Sequence, residues 1–282
     1  MVSKILIIIL LLLTGLFIFT KLDTKEIIKL VEIPASSSAI ISSPTPLPKP
    51  TPIPVHSGRQ IKVPILLYHY IGNNPDPADK ARDNLSVTPD KFDEQMGYLQ
   101  KNGYNPIILD TLAAALSGQI TLPDKSIVIS FDDGYMDLFY NAFPILQKYG
   151  FRAVAFIPTG LVGTSYYASW DQLDTMQQSG LISMQSHSVN HANLPSLSSN
   201  ILTFELGESR RVLEARYRAP VNFIAYPYGV SNQIVWNKAR EVGYYGGLGT
   251  WYSTIVSEGV IYNMPRVKVG GGMDLNIFSS RL

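Results

Sequence analysis

From about residue 62 to the C-terminus, short apolar runs alternate with segments whose apolar residues recur at helical spacing. "VPILLYHYI" (63–71), "YNPIIL" (104–109), "SIVISF" (126–131), "FRAVAFIP" (151–158) and "LISMQSH" (181–187) read as strands. Between them "FDEQMGYLQKNG" puts Phe92, Met96 and Leu99 on one helical face. "DTLAAALSG", "DLFYNAFPILQKYG", "WDQLDTMQQSG" and "NQIVWNKAREVG" read as further helices, with "YYGGLGT" opening a strand after the last. Phe131, Met136 and Phe139 read as core. Four helix-like segments end in a glycine followed at once by an apolar residue: Gly103-Tyr104, Gly150-Phe151, Gly180-Leu181 and Gly243-Tyr244. Glycine closes a helix in the left-handed conformation, and the next residue begins a strand.

Apolar strands alternating with amphipathic helices imply a parallel sheet covered on both faces. About six or seven such units in residues 62–282 predict a closed or nearly closed β/α barrel, with an open doubly wound sheet as the alternative. In either, chemistry belongs at the carboxyl ends of the strands.

The N-terminal part has a different character. "ILIIILLLLTGLFIF" (5–19) carries no charge and reaches bilayer-spanning length only if extended to Leu22. No small-residue cleavage site follows closely, so residues 1–22 read as an uncleaved signal anchor with the bulk of the chain outside the cytoplasm. Residues 23–61 form a linker whose stretch "PASSSAIISSPTPLPKPTPIP" (34–54) favours an extended spacer. Residues 62–282 form the domain that carries the strand–helix pattern.

Composition narrows the chemistry. The formal net charge of +1 over 282 residues lacks the basic stripe that nucleic acid requires. No glycine-rich dinucleotide fingerprint or phosphate loop appears. Cysteine is absent, so a metal would be held by His, Asp or Glu. The four histidines are His56, in the linker and incidental, His69, His187 and His191.

Asp132 and Asp133 follow "SIVISF" directly, where like charges raise each other's pKa unless a cation or a solvated turn relieves them. His187 and His191, in "HSVNH", stand four apart, a spacing that brings two imidazoles onto one face of a helical turn. Two imidazoles and one carboxylate make a three-ligand site with an open position. Neighbouring residues leaving a strand point in different directions, so one aspartate can bind metal while the other faces the water to be activated. Read alone, "DDG" favours an Asp-rich turn.

"SFDDG" (130–134), "HSVNH" (187–191) and "AYPYG" (225–229), in that order, resemble the first three motifs of the polysaccharide deacetylases of the NodB-homology class, carbohydrate esterase family 4. The resemblance implies a distorted (β/α) barrel, a divalent metal, most often zinc, and hydrolysis of the acetamide of N-acetylglucosamine units in a polymer. Carried over by position, Asp133, His187 and His191 are the metal ligands, Asp132 is the general base, and the backbone N–H of Tyr228 helps hold the oxyanion. The family's third motif usually begins with an arginine that orients the base, whereas this chain has Ala225 there. Arg266 in "MPRVKV" is the candidate replacement, with an ordinary surface arginine as the alternative. No histidine follows His191, although the family's general acid usually stands late in the chain. "YH" early in the domain is similar to the branch that deacetylates poly-β-1,6-N-acetylglucosamine in biofilms, which points to His69 as the acid, with a core histidine satisfied by backbone groups as the alternative. "SYYASWDQL" (165–173) offers Trp170 as a sugar-stacking residue, or, with Asp171 as helix N-cap, as a packing residue. Acetyl esters, peptidoglycan as substrate, and a silent glycan-binding module are the alternatives to a polysaccharide N-deacetylase.

Overall fold

The computed structural model describes residues 58–76 and 78–282. The expected signal anchor (1–22), most of the linker and His56 lie outside the described residues. Among the described residues, no helix is long and apolar enough to cross a membrane.

Eight strands form the main sheet: β1 (Ile65–Tyr68), β2 (Asn105–Pro106), β3 (Ser126–Phe131), β4 (Ala153–Ile157), β5 (Ile182–Ser186), β6 (Phe223–Ala225), β7 (Gly246–Leu248) and β8 (Val267–Lys268). All pairings are parallel, and the order is β7-β6-β5-β4-β3-β1-β8, with β2 pairing the start of β3. From β1 through β7 the strands run round in chain order, without the reversal of a doubly wound sheet. The two ends also meet. Leu248 bridges Met264, three residues before β8, and Met264 exchanges backbone bonds with Gly247 and Gly249 at 2.8 and 3.0 Å. The sheet is therefore a distorted barrel closed through one short contact. A separate antiparallel pair, Gln60–Lys62 with Ile255–Ser257, extends the fold slightly ahead of residue 62.

Among the described residues, seven α-helices of six or more residues pack outside: α1 (Pro89–Lys101), α2 (Leu109–Leu116), α3 (Phe143–Tyr149), α4 (Trp170–Gln178), α5 (Ser199–Tyr217), α6 (Gln233–Glu241) and α7 (Leu275–Ser280). The four glycines predicted to end helices all have left-handed backbones, with φ of 71°, 66°, 74° and 102° in chain order. At α4 the N-cap is Ser169, not Asp171: Ser169 and Gln172 form a reciprocal capping box. That moves Trp170 to the first helical position.

Strand alternation divides the core. On β3, Ile127, Ile129 and Phe131 face the helices and join the large cluster there, while Val128 joins Ile65, Val154, Phe156, Phe223, Ala225 and Leu248 in a second, inner cluster. Phe131 is buried and Phe139 packs against the core, but Met136 is 36% exposed: it lies on the loop after β3, where helical spacing no longer describes the chain. Continuing the period of two along β3 puts Ser130 and Asp132 on the inner face, at the carboxyl mouth of the barrel.

Candidate active site

Strand register brings the predicted residues together. Tyr68 pairs Phe131, so His69 and Asp132 leave adjacent strands side by side, and Asp132 N–H donates to Tyr68 C=O at 2.9 Å. Ser186 pairs Ile224, which sets His187 beside Ala225.

Asp133 and the two histidines form one cluster. Asp133 Oδ1 lies 3.2 Å from both His187 Nε2 and His191 Nε2. One ligating atom from each of the three residues falls within 4.8 Å of the others. His187 Nδ1 is 2.7 Å from the Ala225 carbonyl, which can only accept, so Nδ1 carries the proton and the Nε2 lone pair points into the cluster. That tautomer, with one carboxylate and a second imidazole, is the donor set a divalent cation takes. The residues fit the expected metal.

The route to this arrangement differs from the expected helical turn. Residues 187–191 are an irregular loop, with Ser188 and His191 left-handed at φ 64° and 54°. Asp133 (φ 70°) and Tyr228 (φ 61°) share that conformation, so four of the six non-glycine residues with positive φ among those described belong to the predicted motifs. Strained backbone concentrated at one place is typical of functional sites. Gly134 continues the pattern: at φ 66°, an added β-carbon would stand 3.0 Å from Ile157 Cδ1.

Asp132 has entirely different partners. Arg266, with no exposed surface, grips it through Nη1–Oδ1 and Nη2–Oδ2 bonds, both 2.7 Å. Arg266 Nε donates to Gly249 C=O at 2.8 Å, and its Nη1 lies 3.4 Å from Ser130 Oγ. Arg266 is thus the buried partner of Asp132, and the surface alternative is excluded. Ala225, where the family has arginine, lines the inner core with its side chain and serves His187 with its carbonyl.

The pKa directions follow these contacts. Burial pushes the Asp132 carboxyl up, but Arg266 and His187 outweigh it and hold the group below the usual carboxylate range. Burial likewise opposes ionisation of Asp133, and bonds to His187 and His191 drive it well down. His187 is pulled down by burial and raised more strongly by Asp133 and Asp132. His69 is lowered by burial, which its attraction to Asp132 and Asp133 only partly offsets. Its Nδ1 is buried without a hydrogen-bond partner.

Tyr228 is 66% exposed, and its ring stands edge-on to that of His191, with centroids 4.6 Å apart. The turn reading of "PYG" holds as well, since Gly229 has φ 70° and an added β-carbon there would overlap the Thr250 side chain. Trp170 is placed elsewhere. Its ring packs on the outer core under the Arg216 guanidinium, 4.7 Å away, and Arg216 in turn pairs with Asp174. These contacts are those of the packing reading of Trp170.

Other aromatic residues stand near the site instead. Tyr70, Tyr135 and Tyr167 form a column with centroid spacings of 4.0 and 5.1 Å, capped by Arg82 at 3.5 Å from the Tyr70 ring. Trp251, 43% exposed, anchors its indole N–H on Asn263 C=O at 2.8 Å and accepts from the Arg266 N–H through its own carbonyl. Tyr70 and Tyr135 directly follow His69 and "DDG", an adjacency visible in the sequence. Trp251 carries no such signal, because its neighbour Arg266 is remote along the chain.

With this geometry the comparisons with known proteins agree. The polysaccharide deacetylase family pattern matches residues 119–247. The chain superimposes on the Streptococcus pyogenes deacetylase PplD, solved in complex with acetate, with a TM-score of 0.73 and 30% identity over 79% of this chain and 99% of that one. The chain belongs to the polysaccharide deacetylase family. The polysaccharide deacetylase BC0361 from Bacillus cereus gives a TM-score of 0.71 at 28% identity, covering 79% of this chain and 69% of that one. The poly-β-1,6-N-acetyl-D-glucosamine N-deacetylase of Staphylococcus epidermidis is 24% identical over 86% of this deacetylase chain and 92% of its own length.

Proposed function

We propose that the chain hydrolyses the acetamide of N-acetylglucosamine units in an extracellular polysaccharide, using zinc held by Asp133, His187 and His191, with β-1,6-linked polymer as the favoured substrate. The observation that carries this reading is the division of two adjacent carboxylates: Asp133 against two imidazoles, Asp132 in the fork of a buried arginine. Zinc, when bound, would polarise the acetamide carbonyl and acidify water, whose pKa such ions lower to about 7. Asp132 accepts the proton of the attacking water as the new C–O bond forms. The two Arg266 bonds fix the plane of its carboxylate and keep it ionised. The backbone N–H of Tyr228 supports the oxygen that gains charge; one such donor is commonly worth about 3 kcal/mol. His69, level with Asp132 on the neighbouring strand, protonates the amine as the C–N bond breaks, releasing acetate and a free glucosamine. Burial makes a protonated His69 a stronger donor and a rarer one.

The kinship with the Staphylococcus epidermidis enzyme supports the β-1,6 linkage. The apolar run 5–19 and the proline-rich spacer support attachment to a membrane with the catalytic domain outside the cytoplasm. Acetate release should be measured from β-1,6-linked N-acetylglucosamine oligomers and from peptidoglycan fragments, with and without chelator. Chelator-sensitive release that favours the oligomers is expected. Undiminished turnover in metal-stripped protein, or release only from peptidoglycan, would overturn the corresponding part of the reading.

A further inference from the structure

The loop that joins the two histidines is tied down from outside by one helix. Glu205 on α5 is only 3% exposed, and its carboxyl accepts three N–H bonds from two consecutive loop residues. Oε2 takes the backbone N–H groups of Val189 and Asn190, both at 2.9 Å, and Oε1 takes the Asn190 side-chain amide at 2.7 Å. One turn further along α5, Ser209 meets Ser186 Oγ at 2.9 Å, and Ser186 Oγ accepts the Ser188 N–H at 3.2 Å. The loop's outward carbonyls are used as well, Ser188 C=O by Thr159 N–H and Val189 C=O by Gly160 N–H. Every N–H from Ser188 to Asn190 therefore has a partner in this frame, and two of the three depend on Glu205.

We infer that Glu205 is a positioning residue: it holds residues 188–190 in the one path that returns His191 to His187, and so sets metal affinity without touching the metal. This rests on reading Asp133, His187 and His191 as the ligands. The physical reason is the left-handed backbone of Ser188 and His191, which an unanchored loop would relax by turning the second imidazole away. An unpaired cluster of buried N–H groups would also reopen the loop to water.

The test uses the full chain and zinc as the probe, with affinity read by competition against a chromophoric chelator. Melting temperature and hydrogen exchange at Val189 and Asn190 are measured in the metal-free protein. Glu205→Ala should weaken zinc binding by roughly 10- to 100-fold, the range usual for outer partners of metal ligands. It should also speed exchange at the two amides. Glu205→Gln, which can still accept both backbone bonds, should fall near the wild type. Glu214→Ala is the control, since Glu214 is also buried on α5 but serves Val221 N–H and Arg210. It should lower the melting temperature and leave zinc affinity unchanged. If Glu205→Ala fails to fold, Asn190→Ala, which removes one of the three bonds, should show a smaller loss of affinity in the same direction. Wild-type affinity in Glu205→Ala, or in Asn190→Ala where it takes that variant's place, or an equal loss in Glu214→Ala, would overturn the inference. A wild-type chain that bound no zinc would overturn the ligand assignment beneath it.

Discussion

Asp133 finds its partners in a single short motif, at the tip of β5, whereas Asp132 reaches Arg266, 134 residues away, where the barrel closes. On the first wall, two strand ends each deliver candidate ligands at once, and the histidines' spacing in the chain already announces them. On the second wall, the guanidinium belongs to a segment whose neighbours, Gly249 and Trp251, come from the loop after β7. The first wall is local chemistry presented by a barrel. The second exists only because the barrel closes, and the Leu248–Met264 bridge is the contact that closes it.

This difference can be broken most directly at the base. Asp132→Asn should lower kcat by about 10³-fold, within the range for removing a general base, while zinc remains bound. Steady-state kinetics beside metal analysis decide it, and retained turnover would end the base assignment. Arg266→Met should come next. It leaves a buried carboxylate alone, a loss of about 3–5 kcal/mol, and kcat should fall with it. The double variant Asp132→Asn/Arg266→Met should recover much of that stability in denaturant melts, because no charge is then left unpaired. Without recovery, the Asp132–Arg266 pair is not the source of the cost.

A smaller effect separates the two tryptophans. Trp251→Ala should raise KM for the polymer several-fold with kcat little changed, since the anchored, half-exposed indole borders the Arg266 wall. Trp170→Ala should leave KM alone and lower the melting temperature, since its ring is a packing surface for Arg216. A Trp170 variant with altered KM would reinstate the sugar-stacking role.

The least of the effects is one of pH. Asp137, beyond the "DDG" turn, is pushed up to about 6 by burial, which Arg82 only partly relieves. The native state therefore holds this proton more tightly than the unfolded chain. Its stabilising contribution is full below the ordinary value of 3.8 and is lost as pH rises through about 6. Relative to wild type, Asp137→Asn should gain melting temperature as pH rises across that window. A gap that does not vary with pH would remove Asp137 as a titrating liability.

Much of this was legible along the chain because it depends on near neighbours. The glycines at 103, 150, 180 and 243 end helices through their own backbone freedom. Apolar strands alternate with helices because both faces of a parallel sheet are buried, and the register of such a sheet sets the residue after each strand at one mouth. Asp132, Asp133, His187 and His69 follow from that alone. The path of "HSVNH" did not, since its spacing fits a helical turn equally well. A loop with left-handed Ser188 and His191 becomes the lower state only once α5 supplies Glu205 and Ser209. Nor did the fate of Trp170, which depends on Arg216 arriving from another helix.

What the sequence by itself determined is therefore the strand–helix alternation and the mouth of the sheet as the place where the candidate ligands and base converge. All of these arise from covalent geometry and period-two or helical patterning. Only the tertiary structure decided that Arg266 grips Asp132, that Ala225 meets His187 through its carbonyl, and that the tautomer of His187 leaves Nε2 facing Asp133. Those outcomes depend on barrel closure and on hydrogen bonds between segments far apart in the chain, which no local pattern encodes.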